Sequence, residues 1–327
     1  MRAKTLYWIG RWGAIQSWSG SAILLGLGSA IYELGWGSIN WGLFTIAAIG
    51  VVLVHYVSHA LNDLTDYEVD KKTNIEGTGR HKILLAGDVT KRELTWLSVG
   101  IIAAVTVMAA YVAYKLPWSL GFVAIGYWGM LGYNSKPLKL AYKPLNEIIV
   151  DIPLNMAMVV GVAYVATGEI INLAIVMGVV ATFMAMSMKV TYAAMDSGTD
   201  RKWGKVTSSV RFPQFPWSTV YPACGLISAI AFLVLKVNPI LMVVPGVLFA
   251  LQTWYAMRID WLRNDYLLKL GVVKRRNFFH PLVKGVPSST TDTWEGTSHA
   301  MSKLLVKQLG VTVVNGIALG IVLLALA

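Results

Sequence analysis

Apolar residues run along this chain in long blocks, and the charged ones are gathered into the gaps between blocks. An α-helix needs about twenty apolar residues to cross the hydrocarbon core of a bilayer. On that length the pattern predicts nine spans, at 14–32, 41–61, 96–114, 118–133, 147–166, 171–192, 217–235, 239–257 and 308–327, the fourth being short. Basic and aromatic residues through Arg11 and Trp12 precede the first block as an interfacial anchor does. No small-residue cleavage site follows an isolated short core, so the block reads as a span rather than a removed signal peptide. The expected fold class is all-α: a single membrane-embedded domain over 1–327, a polytopic helical bundle of nine transmembrane helices. In the longest connection, Arg258 to Lys307, the residues Trp261, Leu262, Tyr266, Leu267 and Leu268 beside Arg263 and Lys269 predict an amphipathic interfacial helix. The stretch from Pro287 to Thr293 reads as loop.

Composition agrees with the pattern. With 56% hydrophobic and 14% charged residues over 327 positions, and a mean hydropathy of +0.58, the chain is too apolar for a soluble domain of that size. Its single cysteine, Cys224, excludes an internal disulfide and cysteine-cluster metal sites. The net charge of +11 raises the question of nucleic acid, and its distribution answers it. Of the 28 Lys and Arg residues, all but Lys115 and Lys236 fall on one side of the nine-span map. The positive-inside rule then accounts for the charge without a nucleic-acid partner. It places the N-terminus and the long loops in the cytoplasm and the C-terminus outside. The expected location is the cytoplasmic (inner) membrane, with the bilayer itself as the surrounding partner.

The chemistry is concentrated where two apolar blocks end. After the second block the chain reads Asn62-Asp63-Leu-Thr-Asp66-Tyr-Glu-Val-Asp70. On a helix, Asn62, Asp66 and Asp70 are spaced by four and project from one face. Asp196 and Asp200 repeat the spacing after the sixth block. Stacked carboxylates repel unless a cation sits between them, and hard oxygen donors at two helix ends point to Mg2+ shared with a phosphate group. Basic residues stand nearby: Arg80 and Lys82 after the first group, Lys136 and Lys139 in Tyr133-Asn-Ser-Lys-Pro-Leu-Lys, and Arg201, Lys202 and Lys205 after the second. Carboxylates, metal and Lys or Arg together form a cradle for a diphosphate.

These residues carry a resemblance. The segment Asn62 to Asp70 resembles the first aspartate-rich motif of the UbiA superfamily of intramembrane prenyltransferases. Tyr192-Ala-Ala-Met-Asp196-Ser-Gly-Thr-Asp200-Arg-Lys-Trp-Gly-Lys205 resembles the second, and Tyr133 to Leu140 followed by Pro144-Leu-Asn-Glu147 resembles the loop after the fourth helix. The resemblance implies nine helices around a central apolar cavity open sideways to lipid, under a cytoplasmic cap that holds a Mg2+-bound prenyl diphosphate. It assigns metal and diphosphate binding to Asn62, Asp66, Asp70, Asp196 and Asp200, and it places Tyr133, Lys136 or Lys139, and Tyr192 near the diphosphate. Two departures stand out. An Arg-Pro-x-Pro-Ser-Gly-like turn of many members is replaced here by Arg80-His-Lys-Ile-Leu-Leu-Ala-Gly87, and Asn146 stands where many members have Gly.

The parts imply an order of events. Metal and basic side chains stabilise the charge that builds on a departing diphosphate. An apolar cavity shields the allylic cation until an acceptor attacks. The favoured acceptor is an apolar or aromatic small molecule of the quinone-precursor type, with Asp63 a candidate base and Arg11 a candidate partner for a carboxylated ring. Prenyl transfer to a glycerol-phosphate lipid, or cyclisation of the prenyl chain, would use the same site. A non-catalytic lipid-binding protein or a cation transporter is the alternative of another class. Transport calls for ionisable groups near the bilayer midplane, whereas these aspartates cluster at span ends.

Overall fold

Backbone amides in hydrocarbon find no water, so a chain this apolar has to pair them within helices. The computed structural model describes residues 12–73, 84, 85, 87, 89–202, 204–235, 237–274 and 293–326, and among these no strand occurs. The helices are α1 (Trp12–Leu34), α2 (Trp41–Thr73), α3 (Lys91–Lys115), α4 (Ser119–Tyr127), α5 (Ile152–Thr167), α6 (Asn172–Lys202), α7 (Ser208–Arg211), α8 (Trp217–Val234), α9 (Pro239–Lys269) and α10 (Trp294–Leu326). Two wider π turns flank this series, Trp128–Gly132 after α4 and Glu147–Asp151 before α5. Among the described residues six helices are long and apolar enough to cross a membrane, and three shorter apolar helical segments lie at Ser19–Leu34, Ser119–Gly132 and Gly316–Leu326. The shorter three overlap the predicted first, fourth and ninth spans without reaching the length of a crossing.

Several helices outrun their predicted spans. The apolar pattern stops where water begins, whereas the helix need not. At 33 residues, α2 extends about 50 Å, well beyond the roughly 30 Å of a hydrocarbon core. The 31-residue α6 and α9 also continue past their apolar blocks. The expected separate interfacial helix after Arg258 is absent: those residues are the last turns of α9. Trp261, Leu262 and Arg263 are buried there rather than lying on a membrane surface. The loop read at Pro287 to Thr293 falls, apart from Thr293, outside the described residues.

The helices fall into two compact units, one drawn from Met1–Ala141, Pro153–Gly178 and Gly320–Ala327, the other from Tyr142–Ile152 and Val179–Leu319. In the first unit, Thr90 and Glu93 form a reciprocal capping box that starts α3. Leu84, Val89 and Leu94 then pack on Ala60, Tyr56, Leu64 and Tyr67 of α2. Those α2 positions make an apolar stripe, which turns Asn62, Asp66 and Asp70 to the other side of the helix. Lower in the unit, Val112, Leu116, Phe122, Tyr164 and Val165 close around Leu43, Ile46 and Ala47. Glycine permits the closest helix approach: a Cβ at Gly26 would stand 2.6 Å from the Val159 carbonyl oxygen. Ser19 Oγ meets His55 Nδ1 at 2.7 Å, and His55 and His59 join through their Nε2 atoms at 3.1 Å.

In the second unit α8 packs along α9, with the Phe249 ring lying against Gly225. Asp260 of α9 accepts from the amides of Ser218 (3.4 Å) and Thr219 (2.9 Å) and from the Thr219 hydroxyl (2.8 Å). A carboxylate thus caps the start of α8, where the Thr219 amide also reaches the Pro216 carbonyl at 3.0 Å. Arg263 donates to the carbonyls of Ser209 (3.2 Å) and Pro213 (2.7 Å), holding the turn that leads into α8.

The close approach at Gly26 makes a clean prediction. Gly26→Ala lowers the melting temperature of the purified protein, at a cost of about 1–3 kcal/mol. Gly20→Ala, whose Cβ meets nothing within 4 Å, leaves that temperature unchanged or raises it.

Candidate active site

In the first unit the carboxylate face is organised by amides. Asn62 Nδ2 donates to Asp66 Oδ2 at 3.1 Å and to Asn134 Oδ1 at 3.4 Å. Asn134 is buried at the end of the helical stretch that follows α4, and its Nδ2 reaches the Ser58 carbonyl (3.0 Å), the Ser58 hydroxyl (3.2 Å) and the Met130 carbonyl (3.2 Å). One clamped asparagine therefore ties this stretch to α2 and positions Asn62, which in turn holds Asp66. Asp66 and Asp63 are buried, and Asp70 is half-buried one turn further on. Asp63 stands three residues before Asp66 and seven before Asp70, at the edge where the carboxylate side of α2 meets its apolar stripe.

The same unit carries Tyr133, half-buried, Lys136, exposed, and Lys139, half-buried, in the turn after Asn134. Lys139 has a φ of 41°, a left-handed conformation that costs a residue with a Cβ about 1 kcal/mol or more. Its amide is held by the Ser135 carbonyl at 2.8 Å. Arg80 and Arg11 lie outside the described residues.

In the second unit Asp196 and Asp200 occupy the last two turns of α6, Asp196 exposed and Asp200 buried. After Lys202 the helix ends, and Gly204, with a φ of 76°, reverses the chain. That reversal brings the Lys205 amide to the Asp200 carbonyl at 2.9 Å. The Lys205 ammonium comes within 3.9 Å of Asp200 Oδ1 and 5.4 Å of the Tyr142 ring centroid. Tyr192 and Lys202 are exposed on the same helix. Within each helix end, then, Asn62 bonds Asp66 and Lys205 approaches Asp200.

The donor set is oxygen only: carboxylates and amide carbonyls, with neither Cys nor His among the sequence-predicted residues. Among the described residues no three Asp, Glu, His or Cys converge into a cage for a metal ion. That combination fits Mg2+, which keeps several waters, takes one or two protein carboxylates and completes its shell with phosphate oxygens. It does not fit zinc or calcium held wholly by protein.

A family model for the UbiA prenyltransferase family matches residues 22–268, which contain both carboxylate groups and the loop between them. The chain belongs to the UbiA prenyltransferase family. It is therefore an integral membrane enzyme that transfers prenyl groups. Among solved structures, the apo form of a UbiA homolog from Aeropyrum pernix K1 matches at a TM-score of 0.58 and 18% identity, over 94% of this chain and 98% of that one. A UbiA homolog from Archaeoglobus fulgidus bound to GPP and Mg2+ matches at 0.54 and 18%, over 95% and 99%. A digeranylgeranylglyceryl phosphate synthase matches at 0.56 and 13%, over 96% and 99%. These likenesses concern the fold. No curated protein matches the chain.

Two features of this UbiA chain escape a reading by motif alone. Asn134 lies inside the quoted loop, but only the packing of that loop on α2 exposes its role. Lys189 and Asp151, each inside an apolar span, join with Asn146 beside them, and the signal for the set is ionisable groups within apolar stretches. Removing the asparagine clamp is expected to cost stability before chemistry: Asn134→Ala strands the polar groups of Ser58 and Asn62 and destabilises by about 1–3 kcal/mol. A thermal melt in detergent checks it, and an unchanged melting temperature would show the clamp to be dispensable.

Proposed function

We propose that this enzyme transfers a prenyl group from an isoprenyl diphosphate to an aromatic, quinone-precursor acceptor within the membrane, in a Mg2+-dependent reaction. The observation that carries the reading is the pair of carboxylate groups, Asn62–Asp66–Asp70 and Asp196–Asp200, each on the final turns of a long apolar helix. Asp66 and Asp70 with Asn62, and Asp196 with Asp200, would hold the metal; when bound it neutralises the diphosphate and makes it a better leaving group. Lys136, Lys139, Lys202 and Tyr133 or Tyr192 would meet the remaining diphosphate oxygens by charge-assisted bonds. Arg80 would take the same role after the first motif, Arg11 would pair with a carboxylated acceptor, and Asp63 would serve as a base. Support comes from the Archaeoglobus fulgidus homolog, solved with GPP and Mg2+ and again with DMAPP and Mg2+.

The protein crosses the membrane nine times in this reading, with its N-terminus and carboxylate-bearing helix ends in the cytoplasm and its C-terminus outside. A cytoplasmic cap over an apolar cavity keeps water from the allylic cation. A glycerol-phosphate acceptor is the second reading, favoured by the synthase of that class among the solved folds.

The test uses the full chain in detergent with geranylgeranyl diphosphate and Mg2+, offering 4-hydroxybenzoate and geranylgeranylglyceryl phosphate in parallel. Diphosphate release is expected to depend on the aromatic acceptor and to stop in EDTA. Asp66→Asn and Asp196→Asn should each lower kcat/KM by about 100-fold or more. Release dependent on the glycerol phosphate alone would replace the first reading by the second. Release that survives EDTA or both substitutions would overturn both.

A further inference from the structure

Two of the ion pairs among the described residues of the second unit differ in what surrounds them. Arg263 and Asp260, 3.7 Å apart, keep only 2% and 1% of their side-chain surface, and both are consumed by backbone groups that shape the entry to α8. Theirs is a structural pin. Lys189 and Asp151 keep 26% and 14%. Lys189 stands inside the apolar stretch Asn172–Gly198, and Asp151 inside the stretch Glu147–Thr167. A charge pair left reachable within an apolar span is costly, and two apolar side chains would do the packing as well.

The surroundings hold Asp151 rather than hide it. The Lys189 ammonium donates to Asp151 Oδ2 and, at 3.0 Å, to Asn146 Oδ1. Asn146 Nδ2 is fixed in turn on the Lys143 carbonyl at 2.8 Å, which aims its own oxygen at the lysine. The neighbouring Glu147 is engaged by the Ser208 hydroxyl at 2.6 Å, and Ser208 Oγ takes the Leu145 amide at 2.8 Å. Leu145 has a φ of 61°, and Asp151 closes a π turn, Glu147–Asp151. Irregular turns of this kind re-aim side chains and recur at functional sites. Along α6, Lys189 precedes Asp196 by seven residues and Asp200 by eleven, so all three share one helix face. The lysine lies about 10 Å further along the apolar stretch than Asp196.

We propose that Asp151, oriented by Lys189 and Asn146, receives the hydroxyl group of the prenyl acceptor and takes its proton. The acceptor class this selects is a phenol or an alcohol. For a phenol, the allylic C–O bond of the prenyl diphosphate breaks and its electron pair leaves with diphosphate. The ring carbon beside the hydroxyl forms the new C–C bond as the hydroxyl proton passes to Asp151, giving a dienone. Asp151 returns that proton to oxygen, and the freed carboxylate then takes the ring proton and passes it to solvent, which restores the aromatic ring. For an alcohol, oxygen forms the new C–O bond and its proton stays with Asp151 until solvent removes it. Lys189 and Asn146 are positioning residues that hold the carboxylate in place. The inference rests on the prenyl-transfer reading above.

Asp151→Asn keeps the shape of the group and removes its basicity. In detergent with Mg2+, geranylgeranyl diphosphate and 4-hydroxybenzoate or geranylgeranylglyceryl phosphate, this variant is expected to lose about 100-fold in kcat with the acceptor used by the wild type. Its KM for geranylgeranyl diphosphate should stay within about twofold. A kcat/KM for the acceptor within about twofold of wild type would overturn the proposal. A fall in melting temperature together with weaker binding of geranylgeranyl diphosphate would reduce Asp151 to a structural role. Should the single variant fail to fold, Asp151→Leu with Lys189→Met exchanges the pair for apolar side chains; folded and inactive supports the proposal, folded and active ends it. A wild type that transfers to neither acceptor would strike the prenyl-transfer reading itself, and the role of Asp151 with it.

Discussion

Carboxylates stacked at four-residue spacing on a helix repel one another, and the penalty grows as the helix nears hydrocarbon. Much of this protein answers that constraint. Its helices α2 and α6 run past the bilayer thickness, so that Asp66, Asp70, Asp196 and Asp200 stand on end turns rather than in the apolar blocks. An apolar stripe on α2 packs against the start of α3 and turns the carboxylates the other way. Amides and a lysine then temper individual oxygens, Asn62 on Asp66 and Lys205 on Asp200. In the proposed function, a divalent cation with a diphosphate would turn the same crowding of charge to use.

How far this could be read in advance depended on which interactions are local. Apolar block length and the four-residue spacing of the aspartates are properties of single helices, and both led to the right kind of fold and family. Helix ends were harder, because hydropathy reports where lipid stops and not where the helix stops. Trp261, Leu262 and Arg263 illustrate the error. Their mixed character mimics an interfacial helix, whereas they are the end of α9, with Arg263 buried by bonds to backbone carbonyls fifty residues earlier in the chain. Asn134 and the Lys189–Asp151 pair were equally hidden, since each depends on which helices pack together. Nothing in a single stretch of sequence carries that information.

The Arg263–Asp260 and Lys189–Asp151 pairs differ in their surroundings. Opposite charges are present in both, yet one is enclosed and tied to backbone groups while the other keeps part of its surface beside irregular turns. Exposure and the nature of the partners, not the presence of a salt bridge, distinguish a pin from a candidate for work on substrate. The histidine pair on α2, tied to Ser19, is closer to the first kind: its partners are neighbouring helical side chains.

The central claim is that the two carboxylate groups act together on one metal-bound diphosphate. The most direct measurement is the Mg2+-dependent affinity for an unreactive geranyl thiolodiphosphate in wild type, Asp66→Ala, Asp196→Ala and the double variant. If both groups hold the same ligand through metal, each single substitution removes nearly all of the Mg2+-dependent gain, and the double loses little more. Losses that simply add, or a full gain retained in either single variant, would contradict the account.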